Sequence, residues 1–209
     1  MSFSSLGLYA TLVKKLSAIG YAEPYPIQQQ AIPAILEGKD VLGIAQTGSG
    51  KTASFVLPIL QRLQHKIPTK NRFIKVLVLV PTRELAVQVG NVFTDFAEVM
   101  PRKIKSLAVF GGVSINTQMM ALQNVEILVA TTGRLLDLID ANALDLSEID
   151  ILVLDEADKM LNMGFKKEMD SVFKLLPIKR QNLLFSATLG KDINTITEIL
   201  LQNPVKIQV

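Results

Sequence analysis

Short apolar runs punctuate this chain, and each ends abruptly in small or polar residues. Val41 to Ile44 leads into Ala45-Gln46-Thr47-Gly48-Ser49-Gly50-Lys51-Thr52, Val76 to Val80 into Pro81-Thr82-Arg83-Glu84-Leu85, and Leu107 to Phe110 into Gly111-Gly112. Ile127 to Ala130 then releases Thr131-Thr132-Gly133-Arg134, Ile151 to Leu154 releases Asp155-Glu156-Ala157-Asp158, and Asn182 to Phe185 releases Ser186-Ala187-Thr188. Runs that are apolar without alternation predict strands buried on both faces, joined through helices by right-handed crossovers. The expected fold is therefore α/β: one doubly wound, mainly parallel sheet with helices on both faces. In open sheets of this kind ligands bind at the carboxyl ends of the strands, which is where the polar residues fall.

The helical periods fill the gaps. Leu8, Leu12, Val13 and Leu16 share one face and predict a helix from Ser5 that stops near Gly20. Pro24 and Pro26 keep the next segment extended, and a second helix is expected at or just after Pro26. Phe55, Ile59 and Leu63 mark a helix from about Lys51 to about His65, and Thr82 is placed to N-cap another through Phe96. Asn203 to Val209 reads as a turn and a last strand. With no internal repeat, low-complexity tract or linker, residues 1–209 are expected to form a single domain.

Composition narrows the chemistry more than it names it. Of 209 residues, 49% are hydrophobic and 20% charged, which suits a globular chain and not a disordered one. There is no cysteine and one histidine, His65, so disulfides, thiolate metal sites and histidine clusters are excluded. The net charge of +3 is compatible with a nucleic-acid partner without demonstrating one. No apolar run approaches the ~20 residues of a membrane helix, and Met1 to Gly20 lacks the pattern of a signal peptide. A soluble, cytoplasmic protein is expected.

The segment after the first run has the chemistry of a phosphate cradle. Gly48 and Gly50 permit backbone amides to converge on phosphate oxygens, joined by the amides of Gln46, Thr47 and Ser49 and by the positive end of the following helix. Lys51 supplies a compact cation, and the Thr52 hydroxyl is placed to hold magnesium. Ala45 stands where the usual pattern begins with glycine. Asp155 and Glu156 then supply the two carboxylates that phosphoryl transfer requires, Asp155 holding the magnesium directly or through water and Glu156 the attacking water. Adjacent carboxylates also cap helices, but the cradle upstream favours the catalytic reading.

Taken in order and in register with strand ends, these motifs resemble the amino-terminal RecA-like lobe of a DEAD-box ATP-dependent RNA helicase, and the resemblance covers nearly the whole chain. It implies ATP and magnesium as cofactors, and remodelling of RNA duplexes or RNA–protein complexes by RNA-stimulated hydrolysis. Residues 1–29 then become an adenine-recognition segment in which Gln28 reads the base and an aromatic residue, Tyr21 with Phe3 upstream, stacks on it. A Gln amide complements adenine's N6 amino group and N7. Tyr25 departs from the small hydroxyl residue usual in the family.

By the same resemblance Pro81, Thr82, Arg83, Gly111, Gly112, Thr131, Gly133 and Arg134 would form a track for one RNA strand, reading backbone and not sequence. Thr132 stands where the family generally has proline. Taken singly, Arg83 reads as a helix-surface arginine and Gln28 as a residue at a helix start. Ser186 and Thr188 resemble the element that couples nucleotide state to RNA handling, with Asp158 a partner for their hydroxyls. A second RecA-like lobe, absent from these residues, would complete the ATP site with arginines, so this lobe alone is expected to be a monomer that binds nucleotide and turns it over very slowly. Two other classes remain open on the sequence: a nucleotide-dependent scaffold without turnover, and a small-molecule phosphotransferase.

Overall fold

The computed structural model describes residues 2–68 and 72–209. Its seven strands are β1 (Val41–Ile44), β2 (Val76–Leu79), β3 (Ser106–Val109), β4 (Ile127–Ala130), β5 (Ile151–Leu154), β6 (Gln181–Ser186) and β7 (Val205–Gln208). They form one sheet in the order β3-β4-β2-β5-β6-β1-β7, and every strand pair is parallel. The expected sheet is present, and it is parallel throughout.

Burial explains why the strands read as unbroken apolar runs. Val76, Val78 and Val80 enter one core, with Phe55, Phe93 and Phe185, while Leu77 and Leu79 enter the other, with Leu135, Met160 and Met169. The first core is covered by α1 (Ala10–Ala18), α2 (Pro26–Leu36), α3 (Lys51–Gln64) and α4 (Arg83–Ala97). The second lies beneath α6 (Thr132–Asp140), α7 (Ala157–Asn162), α8 (Lys166–Phe173) and α9 (Lys191–Leu200), with α5 (Ile115–Ala121) at its margin. Alternate residues thus serve opposite faces, and both faces demand apolar side chains.

One predicted element differs. The first helix does not start at Ser5: Phe3–Leu6 form a short 3-10 turn, Gly7 takes a left-handed φ of 82°, and α1 starts at Ala10. Phe3 and Leu6 are each only 3% exposed, so the turn exists to dock them into the core. Pro26 opens α2 and Thr82 caps α4, its hydroxyl accepting from the Leu85 amide at 3.2 Å, as the sequence predicts.

Glycine inside β1 has a steric cause. A Cβ on Gly43 would stand 2.6 Å from the Phe185 ring, which packs on the same face of the sheet against Phe55 of α3 with centroids 5.3 Å apart. Charges at the amino ends of the strands are structural. Asp40, just before β1, accepts from the amides of Asn182 and Gln202, each at 2.8 Å, and Arg102 forks onto Glu126, just before β4, at 2.7 and 3.1 Å. Among the described residues no helix is long and apolar enough to cross a membrane.

Candidate functional site

The strand order divides the carboxyl edge of the sheet into two neighbouring halves. In one, β5, β6 and β1 lie side by side, so Asp155, Ser186 and the glycine loop emerge together; in the other, β3, β4 and β2 deliver Phe110, Thr131 and Pro81. The first half opens into a cavity of about 640 Å³ that reaches from the loop and the first turn of α3 to Asp155 and Glu156, with Tyr21 and Tyr25 on one rim and α4 on another.

The loop joins β1 to α3 through Gly48 and Gly50, both at a φ of 86°. At Gly50 glycine is required twice over. The left-handed backbone disfavours any side chain, and a Cβ would also fall 2.5 Å from Gln28 Nε2 and 2.8 Å from the Tyr25 ring. Thr47, Gly48, Gly50, Lys51 and Thr52 all face the cavity. Gln46 instead offers its carbonyl to Lys51 Nζ at 3.0 Å, and Lys51 donates also to the Ala45 carbonyl, so the ammonium is folded back into its own loop at 8% exposure. Ser49 Oγ is buried with no hydrogen-bond partner among the described residues.

Opposite the lysine, Asp155 is 2% exposed, and its Oδ1 likewise has no partner among the described residues. Burial raises the pKa of this carboxyl from its ordinary 3.8 to about 7, with Lys51 pulling it down and Glu156 pushing it up. Next along, Glu156 has a φ of 54°, in the left-handed region that non-glycine residues rarely adopt. The bend occurs where the chain turns from β5 into α7 and leaves Glu156 lining the cavity, its carboxylate 2.8 Å from Lys159 Nζ. That hydrogen bond to Glu156 leads the causes that raise the Lys159 pKa.

Magnesium takes oxygen ligands and is usually shared between one or two protein oxygens, phosphate and water. A buried carboxylate with a partnerless oxygen, and a threonine at the first turn of α3 facing the same cavity, fit that role.

The residues assigned to adenine sit less simply. Tyr21 lines the cavity, but Phe3 lies in the core, meeting Tyr21 edge-on at 6.5 Å. Gln28 is fully buried with both ends of its amide engaged: Oε1 accepts from the Tyr25 amide at 2.9 Å and Nε2 donates to the Gly50 carbonyl at 3.1 Å. It therefore joins the start of α2 to the glycine loop, and these two bonds leave one N–H and one acceptor site of the amide for a base.

On the other half of the edge, Arg83 is exposed and lies over the Phe110 ring at 4.9 Å, near Gly111 and Gly112. Thr131 precedes α6 without a side-chain cap bond, Gly133 is exposed, and Pro81 is buried. Arg134 is 9% exposed and bonded within the fold. Within the first half, between the segments that follow β6 and β5, Thr188 Oγ1 donates to Asp158 Oδ2 at 3.1 Å. The expectation that Ser186 also reaches a carboxylate fails. Ser186 is fully buried, and its hydroxyl closes its own turn by donating to the Thr188 carbonyl at 2.7 Å and accepting from the Thr188 amide at 3.2 Å. Sequence reasoning missed Lys159 and Gln118. Lys159 lies three residues beyond Glu156 on a helix, a legible spacing, whereas nothing local marks Gln118 as buried.

A parallel sheet that brings a glycine loop, a lysine at a helix start and a buried strand-end aspartate to one cavity defines a phosphate-loop domain of the RecA-like class. More narrowly, the chain belongs to the DEAD/DEAH box helicase family, which it matches over residues 25–196. It is 45% identical over 209 residues to the ATP-dependent RNA helicase DeaD of Escherichia coli (strain K12), covering 100% of this chain and 32% of that protein. Identity to DeaD of Buchnera aphidicola subsp. Schizaphis graminum is 46% over 209 residues, covering 34% of that protein. The chain thus spans about a third of the length of these curated relatives. A crystal structure of a DEAD box protein from the hyperthermophile Methanococcus jannaschii superposes with a TM-score of 0.90 at 34% identity, covering 100% of this chain and 56% of that one.

Proposed function

We propose that this chain is the nucleotide-handling lobe of an ATP-dependent RNA helicase that remodels RNA duplexes or RNA–protein complexes, working in the cytoplasm. The observation that carries the reading is the convergence of the glycine loop with Asp155 and Glu156 on one cavity, beside a strand-end surface of exposed glycines and Arg83. The relatives named as ATP-dependent RNA helicases support it.

In this reading the amides of Gln46 to Gly50 and the Lys51 ammonium hold the phosphates, with Lys51 leaving its carbonyl partners to do so. Thr52 and Asp155 would hold a magnesium ion, which would supply positive charge to the phosphates. Glu156 orients the attacking water from its bent position at the strand end, and Lys159 restrains that carboxylate until the water is in place. Tyr21 and Gln28 recognise adenine. Pro81 to Arg83, Gly111, Gly112, Thr131, Gly133 and Arg134 serve the RNA backbone, and the Thr188–Asp158 hydrogen bond, between the segments after β6 and β5, couples nucleotide state to RNA handling. Arginines from a second RecA-like lobe complete the ATP site; an arginine of this kind contributes ~10³ or more in rate, so this monomeric lobe alone turns over very slowly.

The test is equilibrium binding of ADP and of GDP to the chain and to Gln28→Ala. ADP preferred by the parent, with the preference lost in the variant while some binding of both remains, supports the reading. Equal binding of both nucleotides by the parent removes the adenine role. Failure of the variant to bind either nucleotide assigns Gln28 to holding Gly50 and not to reading the base.

A further inference from the structure

The segment after β3, Phe110 to Ser114, presents Gly111 and Gly112 to solvent, and it is held from three sides. Arg83 covers the Phe110 ring at 4.9 Å. Arg134, reaching across from α6, donates from Nη2 to the Val113 carbonyl and from Nη1 to Gln118 Oε1, each at 3.0 Å. Gln118, itself only 7% exposed, donates from Nε2 to the Phe110 carbonyl at 3.1 Å. Phe110 and Val113, the two residues flanking the glycine pair, are therefore tied to each other through one buried amide and one guanidinium. The third guanidinium nitrogen, Nε, stands 3.4 Å from Asp137. Nε makes no hydrogen bond among the described residues, but the side chain is only 9% exposed, so little of Arg134 is within reach of a phosphate.

We propose that Gln118 and Arg134 are positioning residues of the RNA track, clamping the Phe110–Val113 loop so that the amides of Gly111 and Gly112 are set towards the RNA backbone before it arrives. The proposal rests on the RNA reading above and changes the part that Arg134 plays in it. Two adjacent glycines lose more conformational freedom on ordering than any other pair, and Gly112 is held at a φ of 81°. A loop ordered in the free protein does not incur that loss on binding. Arg134 suits the task because a planar fork can serve two acceptors at once, which a single ammonium cannot do with fixed geometry.

Two measurements on the chain test this: affinity for a single-stranded RNA across a salt series, and hydrogen exchange of the loop amides without RNA. The variants are Gln118→Ala, Gln118→Glu, Arg134→Ala and Arg134→Lys, each first shown to unfold cooperatively. Loss of a clamp lowers affinity by roughly tenfold in both alanine variants, an effect the size of one or two hydrogen bonds. It leaves the salt slope unchanged and speeds exchange at Gly111 to Ser114. Arg134→Lys behaves like Arg134→Ala, and Gln118→Glu, which keeps its bond to Arg134 but loses its donor to Phe110, falls between parent and alanine. The opposite pattern overturns the proposal: a salt slope shallower by ~0.7 in Arg134→Ala, as loss of one phosphate contact to a single strand gives, with lysine restoring binding and Gln118→Ala silent. Unchanged exchange in both alanine variants overturns it equally. Parent protein with no salt-dependent RNA affinity would refute the RNA reading itself, while the exchange data still decide the clamp.

Discussion

Replacing Asp155 with Asn isolates the energetic cost of holding this carboxylate in the fold. Asp155 is 2% exposed, one of its oxygens lacks a partner among the described residues, and burial moves its pKa from 3.8 to about 7. A carboxyl whose pKa is raised on folding keeps its proton in the native state while the unfolded chain has already lost its own. Below the ordinary value both states are protonated and the group costs nothing; between the two values the penalty grows; above the raised value it is constant. At about 1.4 kcal/mol for each pH unit, the full penalty is about 4 kcal/mol, and about 3 kcal/mol of it develops between about pH 5 and about pH 8. Asn is isosteric and uncharged, but burying its amide imperfectly paired returns about 1–2 kcal/mol of that gain. The variant is therefore expected to be more stable than the parent by about 2–3 kcal/mol at about pH 8 and about equal to it at about pH 5. Urea unfolding followed by circular dichroism at each pH, without nucleotide or magnesium, measures the difference. A stability gap that stays flat across this range would refute the claim that an ionised Asp155 burdens the fold.

Three further outcomes follow from the same geometry. Gly50→Ala combines a left-handed backbone with a Cβ 2.5 Å from Gln28, and should cost about 2 kcal/mol or more of stability and abolish ADP binding; retained binding in a titration would contradict the account of the loop. Thr188→Ala removes one exposed hydrogen bond to Asp158 and should shift stability by less than about 1 kcal/mol while separating RNA remodelling from ATP hydrolysis when a second lobe is supplied; normal remodelling would refute the coupling role. Arg102→Ala leaves Glu126, 3% exposed, without its forked partner far from the cavity; a loss of about 3 kcal/mol in urea unfolding is expected with nucleotide affinity unchanged.

What was legible in the sequence was set locally. The five inner strands and the loop at Gly48 to Thr52 could be placed because double-sided burial, backbone geometry and phosphate chemistry each constrain neighbouring residues. Contacts between distant segments were not legible. Nothing near Gln28 shows that its amide reaches Gly50, 22 residues on, and nothing near Arg134 shows that it meets Gln118 and Val113. The hydroxyls of Ser186 and Thr188 look equivalent in sequence, yet only the second points out of the sheet to Asp158, because the first belongs to the buried last residue of β6. Phe3 was assigned to the base on a family pattern, and the structure places it in the core, where an apolar ring before a glycine turn finds more surface to bury.

The position of β1 in the sheet has a consequence for biosynthesis. Its neighbours are β6 and β7, so Val41 pairs with Leu183 and with Val205, and the Ala45 amide that opens the glycine loop donates to Ser186 at 3.0 Å. On a ribosome, β1 emerges before both of its partners and remains an unpaired apolar strand until some 140 further residues have been made, about ten seconds or more at common elongation rates. Nucleotide cannot template the early stages of folding; it can reward only the finished sheet. A nascent chain arrested before β6 would expose Val41 to Ile44 as a free edge, and that is the interval in which a chaperone has most to protect.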